Sequence, residues 1–490
     1  KVSLACLRCR CNLPPMHEMI DQDDRRGSSG AEPGGPAPRS RPFAVTHRDV
    51  WKITLPMTLA FLTTPLIGLT DTAVVGRIGD ATALGGLAVG ALIFDFAFAT
   101  FNFLRSGTTG LTAQAAGEEN GREVQAVFWR SVVLSLLIGA GLIAAEPLIT
   151  GLGLLAIAPG PGVVAATGLY VFVRMFSAPF AFLNYAILGH VLGCGRGGLG
   201  LALQFVVNGT NIALSILFGL VMEYGIAGVA VGTVCGEAIG ALVGFLVVLR
   251  RFDAADRPSR ARVFERAGFV RMIAVNRDIM IRSFCLLGAF MLFARLGAQF
   301  GTLVLAANGI LMNFFAVGSY FLDGLATATE QLVGRSVGAR YRPAFDRAVR
   351  LTILWGVAVS LVVSAVFLFA GEALIAGLTT DPAVRQMATD YLPFAALTPV
   401  AGALAFIMDG VFIGATWSRT MRNMMIAAFL VFAAAAYALT PFYGNTGLWL
   451  ALLGFLGFRG FSLLALVPRR RAETFAVPSW PGGREGAAVR

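Results

Sequence analysis

Twelve runs of mostly apolar residues, each about 20 long, recur along this chain of 490 residues, and that is the length a helix needs to cross the hydrocarbon core of a bilayer. They lie near 51–75, 83–105, 126–149, 163–189, 199–222, 226–249, 273–294, 302–325, 346–370, 387–412, 420–440 and 445–467. Inside a membrane each backbone N–H and C=O must find its partner within the segment, so such runs fold as helices. Composition agrees: 56% of residues are hydrophobic and 14% charged, where a soluble domain carries roughly a quarter charged. The 58 glycines would weaken soluble helices but let membrane helices approach closely. The chain reads as an all-α membrane protein, with the lipid bilayer as its main partner.

Loop charge orients the spans. With the amino terminus in the cytoplasm, the inward loops hold Arg122, Arg196, the run from Arg250 to Arg271, Arg335, Arg340, Arg342, Arg419 and Arg422, and the tail adds Arg469, Arg470 and Arg471. The outward loops hold little beyond Arg77, Arg295 and Arg385. This is the positive-inside pattern, and it predicts both termini in the cytoplasm. The net charge of +11 is therefore topological, and nucleic acid is not an expected partner. Residues 1–44 are rich in Gly, Pro, Ser and Arg and lack periodicity, which predicts a disordered tail; no apolar run there suits a cleaved signal peptide. Cys6, Cys9 and Cys11 have no second cluster to complete a ligand set, so no metal site is expected.

The region after span two repeats after span eight at an offset of 217 residues: Gly107 with Gly324, Thr112 with Thr329, Gln114 with Gln331, Gly117 with Gly334, Gly121 with Gly338, Phe128 with Phe345 and Arg130 with Arg347. Six spans separate the copies, an even number, so the halves share one orientation and an axis along the membrane normal relates them. The expected domains are an N-lobe at 45–249, a basic cytoplasmic linker at 250–272, a C-lobe at 273–467 and a cytoplasmic tail at 468–490. Two such lobes enclose a central cavity, and rocking one against the other gives alternating access.

A charge at mid-membrane costs about 2.5–3.5 kcal/mol on the insertion scale and so needs a reason. The polar candidates are Asp71, Asp95, Arg174, Asn208, Asn211 and Glu237 in the first half, and Arg282, Asn308, Asp323, Glu330 and Asp409 in the second. Asp71 follows Pro56 and Pro65 on span one. A carboxyl in a low-dielectric cavity can change charge near neutral pH; from position alone Asp71 is equally an interfacial group. Arg282 needs an acidic partner, Asp409 or Asp323. Asn208 and Asn211 can hydrogen-bond between helices. No nucleotide-binding motif, zinc signature or catalytic constellation is present, so no enzyme and no cofactor is expected, and active transport would draw on an ion gradient.

Leu55-Pro56 followed by Gly68-Leu69-Thr70-Asp71-Thr72-Ala73-Val74-Val75-Gly76-Arg77-Ile78-Gly79 resembles span one of the multidrug and toxic compound extrusion (MATE) transporters. The stretch Phe103–Gln114, Leu305–Ile310, Tyr320–Gly324, Met408–Gly410 and Gly447–Ala451 are similar to the DNA-damage-inducible F (DinF) branch, and the likeness spans about 46–467. The resemblance implies twelve helices in two pseudo-symmetric six-helix lobes and cation-coupled export of small organic compounds by a monomer in the inner membrane. It implies proton coupling at Asp71, fifteen residues after Pro56, with Asn211 in the same cavity. Ser215 stands where some members carry a second aspartate, and Asp409 resembles an ion-site acid of sodium-coupled members. The alternatives are sodium-coupled efflux, a flippase for a lipid-linked precursor, and a channel or scaffold. A flippase needs a basic cavity for pyrophosphate, and only Arg174 and Arg282 read as clearly within spans.

Overall fold

The computed structural model describes residues 40–476, except the side chains of residues 99 and 100. Most of the expected tail, Cys6, Cys9 and Cys11 with it, and residues 477–490 lie outside the described residues. The described chain is helical throughout, with no strand. Thr46 opens α1 (His47–Ile78) with a capping box to Asp49, and Gly79, at φ 76°, closes it. This satisfies free N–H groups at one end and supplies the left-handed residue needed at the other. The helices α2 (Ala81–Ala99), α3 (Phe103–Gly117), α4 (Gly121–Ile157), α5 (Pro161–Met175), α6 (Ala178–Gly193), α7 (Gly197–Ile216) and α8 (Gly225–Leu249) follow. A short α9 (Arg260–Val263) leads to α10 (Arg266–Ala298), α11 (Thr302–Gly338), α12 (Arg342–Leu378), α13 (Pro382–Gly414) and α14 (Ser418–Phe475).

Ten segments are long and apolar enough to cross a bilayer, α2 and α3 being joined through a 3-10 turn. The α5–α6 pair, bent by 48°, passes the same test only when its two helices are taken together as one broken span. The 58-residue α14 would be roughly 87 Å long if straight. It is instead a hairpin: Gly444 is non-helical at φ 56° and ψ −135°, and Trp417 Nε1 donates to Thr474 Oγ1 at 3.0 Å across its two ends. Counting both arms gives the twelve spans that hydropathy predicts. Proline acts differently in the two irregular spans. The fourth breaks just before Pro179, whereas α13 runs unbroken through Pro393 and Pro399. Pro399 cannot donate to Ala395 O, and Thr398 Oγ1 takes that carbonyl at 2.6 Å.

The two six-span halves, α1–α8 and α10–α14, pack with the symmetry of the repeat. A Cβ on Gly193 would meet Thr112 and the Thr109 carbonyl; one on Gly410 would meet Thr329 and the Ala326 carbonyl, the same positions shifted by 217. Gly107 of α3 lies against Asn276 of α10, and Gly324 of α11 against Thr58 of α1. Gly117 and Gly338 put the ends of α3 and α11 in backbone contact, so only glycine fits there. These contacts, together with the hydrogen bonds and ion pairs the described residues make between the halves, lie in the part of the spans nearer the start of α1. We call that side the terminal face; twelve crossings return the end of α14 to it.

Candidate functional site

Side chains on α1 that recur every three or four residues share a face. Asp71, Val74 and Val75 are buried, whereas Leu66 and Leu69 are exposed. Asp71, at 3% exposure, is thus inside the first half rather than on its outer rim. The neighbouring Thr70 and Thr72 hydroxyls bond back to Leu66 O and Gly68 O, both at 2.8 Å. Hydroxyls that would otherwise meet lipid are so satisfied. Close packing brings α7 and α8 in: Gly232 lies against the Ser215 backbone and Gly236 against Asn211, each with no room for a Cβ.

These helices converge a polar cluster. Arg174 of α5 lies 4.2 Å over the Phe94 ring and donates to Tyr170 Oη, and Asp71 and Asp95 are within its electrostatic reach. Asn184 Nδ2 donates to Glu237 Oε2 at 2.6 Å. Asn208 Nδ2 donates to Thr63 Oγ1 and Asn208 Oδ1 accepts from Gln204 Nε2, both at 2.8 Å. Asp71 Oδ1, Asn211 Oδ1 and Ser215 Oγ are buried and make no hydrogen bond of ordinary geometry, with the Ser215 hydroxyl set close to the Asp71 carboxyl. Unmet oxygens of this kind mark where water, an ion or a substrate group completes a network. Three carboxyls, the buried Asp71, the half-buried Glu237 and the exposed Asp95, lie within electrostatic reach of one half-buried cation, so by formal charge this cluster carries an acidic excess. Pro56 is two turns from Thr63 on the same helix, which stays continuous through it.

The second half is built otherwise. Asp409 of α13 accepts from both Arg282 of α10 and Arg459 of α14, so the partner of Arg282 is Asp409. Asp323, half-buried, is an electrostatic neighbour of the group. Asn308 joins a separate network: it exchanges hydrogen bonds with Asn445 at 2.8 and 3.0 Å and accepts from Trp449 Nε1 at 3.0 Å. Arg105 of α3 faces Glu330 of α11 at 3.8 Å across the seam, both nearly buried.

Arg105 and Arg459, 8% and 2% exposed, correct the count of intramembrane arginines, which sequence reading put at Arg174 and Arg282. The long apolar run around Arg459 hides its charge from hydropathy, and Arg105 sits at the hydropathy-defined end of span two. Each of these arginines has a partner: Arg105 faces Glu330, Arg282 and Arg459 share Asp409, and Arg174 is engaged by Tyr170. Among the described residues no group of three or more His, Cys, Asp or Glu is arranged to hold a metal ion.

The MatE family model matches residues 56–217 and 279–438, one stretch in each half. The DNA damage-inducible protein F of Escherichia coli is 36% identical over 439 residues, covering 88% of this chain and 95% of that protein. The multidrug resistance protein PmpM of Pseudomonas aeruginosa is 26% identical, covering 90% and 94%. A crystal structure of a MATE in the bent conformation superposes with a TM-score of 0.80 at 17% identity, covering 87% of this chain and 96% of that one.

Proposed function

The chain belongs to the MATE family, and on that premise we propose that this multi-pass membrane transporter exports small organic compounds in exchange for protons, with Asp71 as the coupling group. The observation that carries the reading is the buried Asp71 carboxyl with an oxygen that makes no ordinary hydrogen bond, set among the Asn211 and Ser215 oxygens in an acidic cluster. A carboxyl held out of water is stable there neutral or satisfied by a cation, not bare. Proton arrival and substrate departure can therefore be exclusive occupants of one site. The relatives lend support, since PmpM is named a multidrug resistance protein.

The arginine-rich loops, from Arg122 through Arg422, all fall on the terminal face, which supports cytoplasmic termini in a cell inner membrane. On this reading the closed terminal face corresponds to an outward-facing state of an alternating-access monomer. Asp71 takes a proton from outside, substrate leaves, the halves rock, and the proton is released inward.

Sodium coupling is the second reading, favoured by the same three oxygens, because oxygen atoms without well-placed hydrogen-bond donors suit a hard cation. One experiment addresses both. Proteoliposomes are given separate pH and sodium gradients, and efflux of a fluorescent organic cation is followed for the wild type and Asp71→Asn. Proton coupling predicts efflux driven by the pH gradient alone and lowered at least tenfold in the variant. Efflux driven by sodium alone would select the second reading; equal pH-driven efflux from both proteins would remove Asp71 from the mechanism.

A further inference from the structure

Arg130 and Arg347 occupy the same position in the repeat, and neither belongs to the polar clusters. Arg130 of α4 is 2% exposed. Its guanidinium donates to Arg262 O at 2.6 Å, Val263 O at 3.0 Å and Glu123 Oε1 at 2.6 Å. Arg347 of α12 donates to Val45 O at 2.7 Å. The acceptors are themselves equivalent: Val45 and Arg262 differ by the same 217 positions as Arg130 and Arg347. One precedes α1, the first helix of the first half; the other precedes α10, the first helix of the second. Each arginine thus grips the segment leading into the other half's first helix.

The surroundings repeat the exchange. Residues 41–51 contact the second half: Arg41 N donates to Ala339 O at 3.0 Å while its side chain pairs with Glu119 of the first half at 3.4 Å, Arg335 sits 4.3 Å over the Phe43 ring, and Trp355 Nε1 donates to His47 Nδ1 at 3.0 Å. Residues 253–271 lie on the first half: Gln125 Nε2 donates to Asp253 O at 2.9 Å, Arg262 pairs with Glu123 at 2.9 Å, and Arg271 donates to Gln114 Oε1 at 2.6 Å. Gly268 lies flat under the Arg130 guanidinium, where a Cβ would come within 2.5 Å.

We propose that Arg130 and Arg347 are paired positioning residues: each straps the other half's lead-in segment to its own half, and the two crossed straps hold the terminal face shut. Two carbonyls and a carboxylate around one planar fork is a geometry that arginine satisfies and lysine cannot. The straps are unequal. Arg130 is buried with three partners, whereas Arg347 is exposed with one, so Arg130 holds more of the closure. The inference rests on the alternating-access reading alone. It needs neither Asp71 nor a particular coupling ion, so failure of the gradient experiment leaves it standing.

The test is a distance across the terminal face, read without substrate or gradient. Spin labels are placed at the exposed Arg122 and Arg340 positions, with the six native cysteines replaced. In full-length protein the wild type should give mainly the short distance. Arg130→Ala should raise the long-distance population at least fivefold, Arg347→Ala should raise it less, and the double variant should exceed either. Should an alanine variant fail to accumulate, Arg130→Lys and Arg347→Lys are read the same way, with smaller shifts expected. Monodisperse variants with the wild-type distance distribution would overturn the proposal and reduce both residues to loop anchors.

Discussion

Asp409 shows how little room a buried charge has. Its carboxylate meets two guanidiniums, from Arg282 and Arg459, and all three groups are largely shielded from solvent. Removing the common partner leaves two buried cations without compensation, which costs more than the pair contributes. Asp409→Asn should therefore lower stability by roughly 3–5 kcal/mol, seen as an earlier loss of monodispersity on heating in detergent. Wild-type behaviour would mean that water already reaches the site. Sequence reading found Arg282 and Asp409 because each is a charge inside an apolar run. It left Asp409 and Asp323 as rival partners, because separation along the chain carries no information on which helices touch. Asp71 was legible as a charge, and its burial was not: the three-residue spacing that turns it inward with Val74 and Val75 is shared by the lipid-facing leucines around it.

At the scale of elements, hydropathy locates spans well because bilayer thickness sets their length, and it is blind to what joins them. Only Pro441, Phe442, Tyr443 and Gly444 separate the last two spans, with no charge among them, and the turn between them rests on one residue. Gly444 adopts φ 56° and ψ −135°, a conformation that residues with a Cβ avoid. Immediately beyond it, Gly447 packs so that a Cβ would lie 2.6 Å from Leu439 O, eight residues back. Gly444→Ala should cost on the order of 1–3 kcal/mol, whereas Gly454→Ala, where the added methyl meets nothing within 4 Å, should be neutral or better. Paired thermal melts would settle it; equal melting of the two variants would place the turn's strain elsewhere. The prolines teach a related lesson. A proline marks a lost hydrogen bond, but whether the helix breaks depends on a local substitute, and Thr398 supplies one for α13.

For the whole molecule, the repeat was the most informative reading, since matched glycines along the chain became matched contacts in space. On the alternating-access reading those glycines serve motion as well as packing. The ends of α3 and α11 touch through backbone at Gly117 and Gly338, with Arg335 O facing one and Gln114 O the other, and Gln114 Nε2 reaches Gly414 O at 2.8 Å beside them. A methyl at either glycine has only main chain to push against, so the helices must part. Overpacking of this kind costs typically 1–3 kcal/mol, a strain that the closed terminal face bears and an open one would not. Gly338→Ala should accordingly move the equilibrium toward the inward-open state by about 5- to 150-fold. Cys194 offers the reporter, because it lines the groove at the seam with Lys52, Gln331 and Arg335. In a protein keeping Cys194 as its sole cysteine, an impermeant maleimide applied to the terminal face should label the Gly338→Ala variant faster by that factor. Labelling from the opposite face should not quicken, and unchanged labelling from the terminal face would mean that α3 and α11 move as one body when the halves rock.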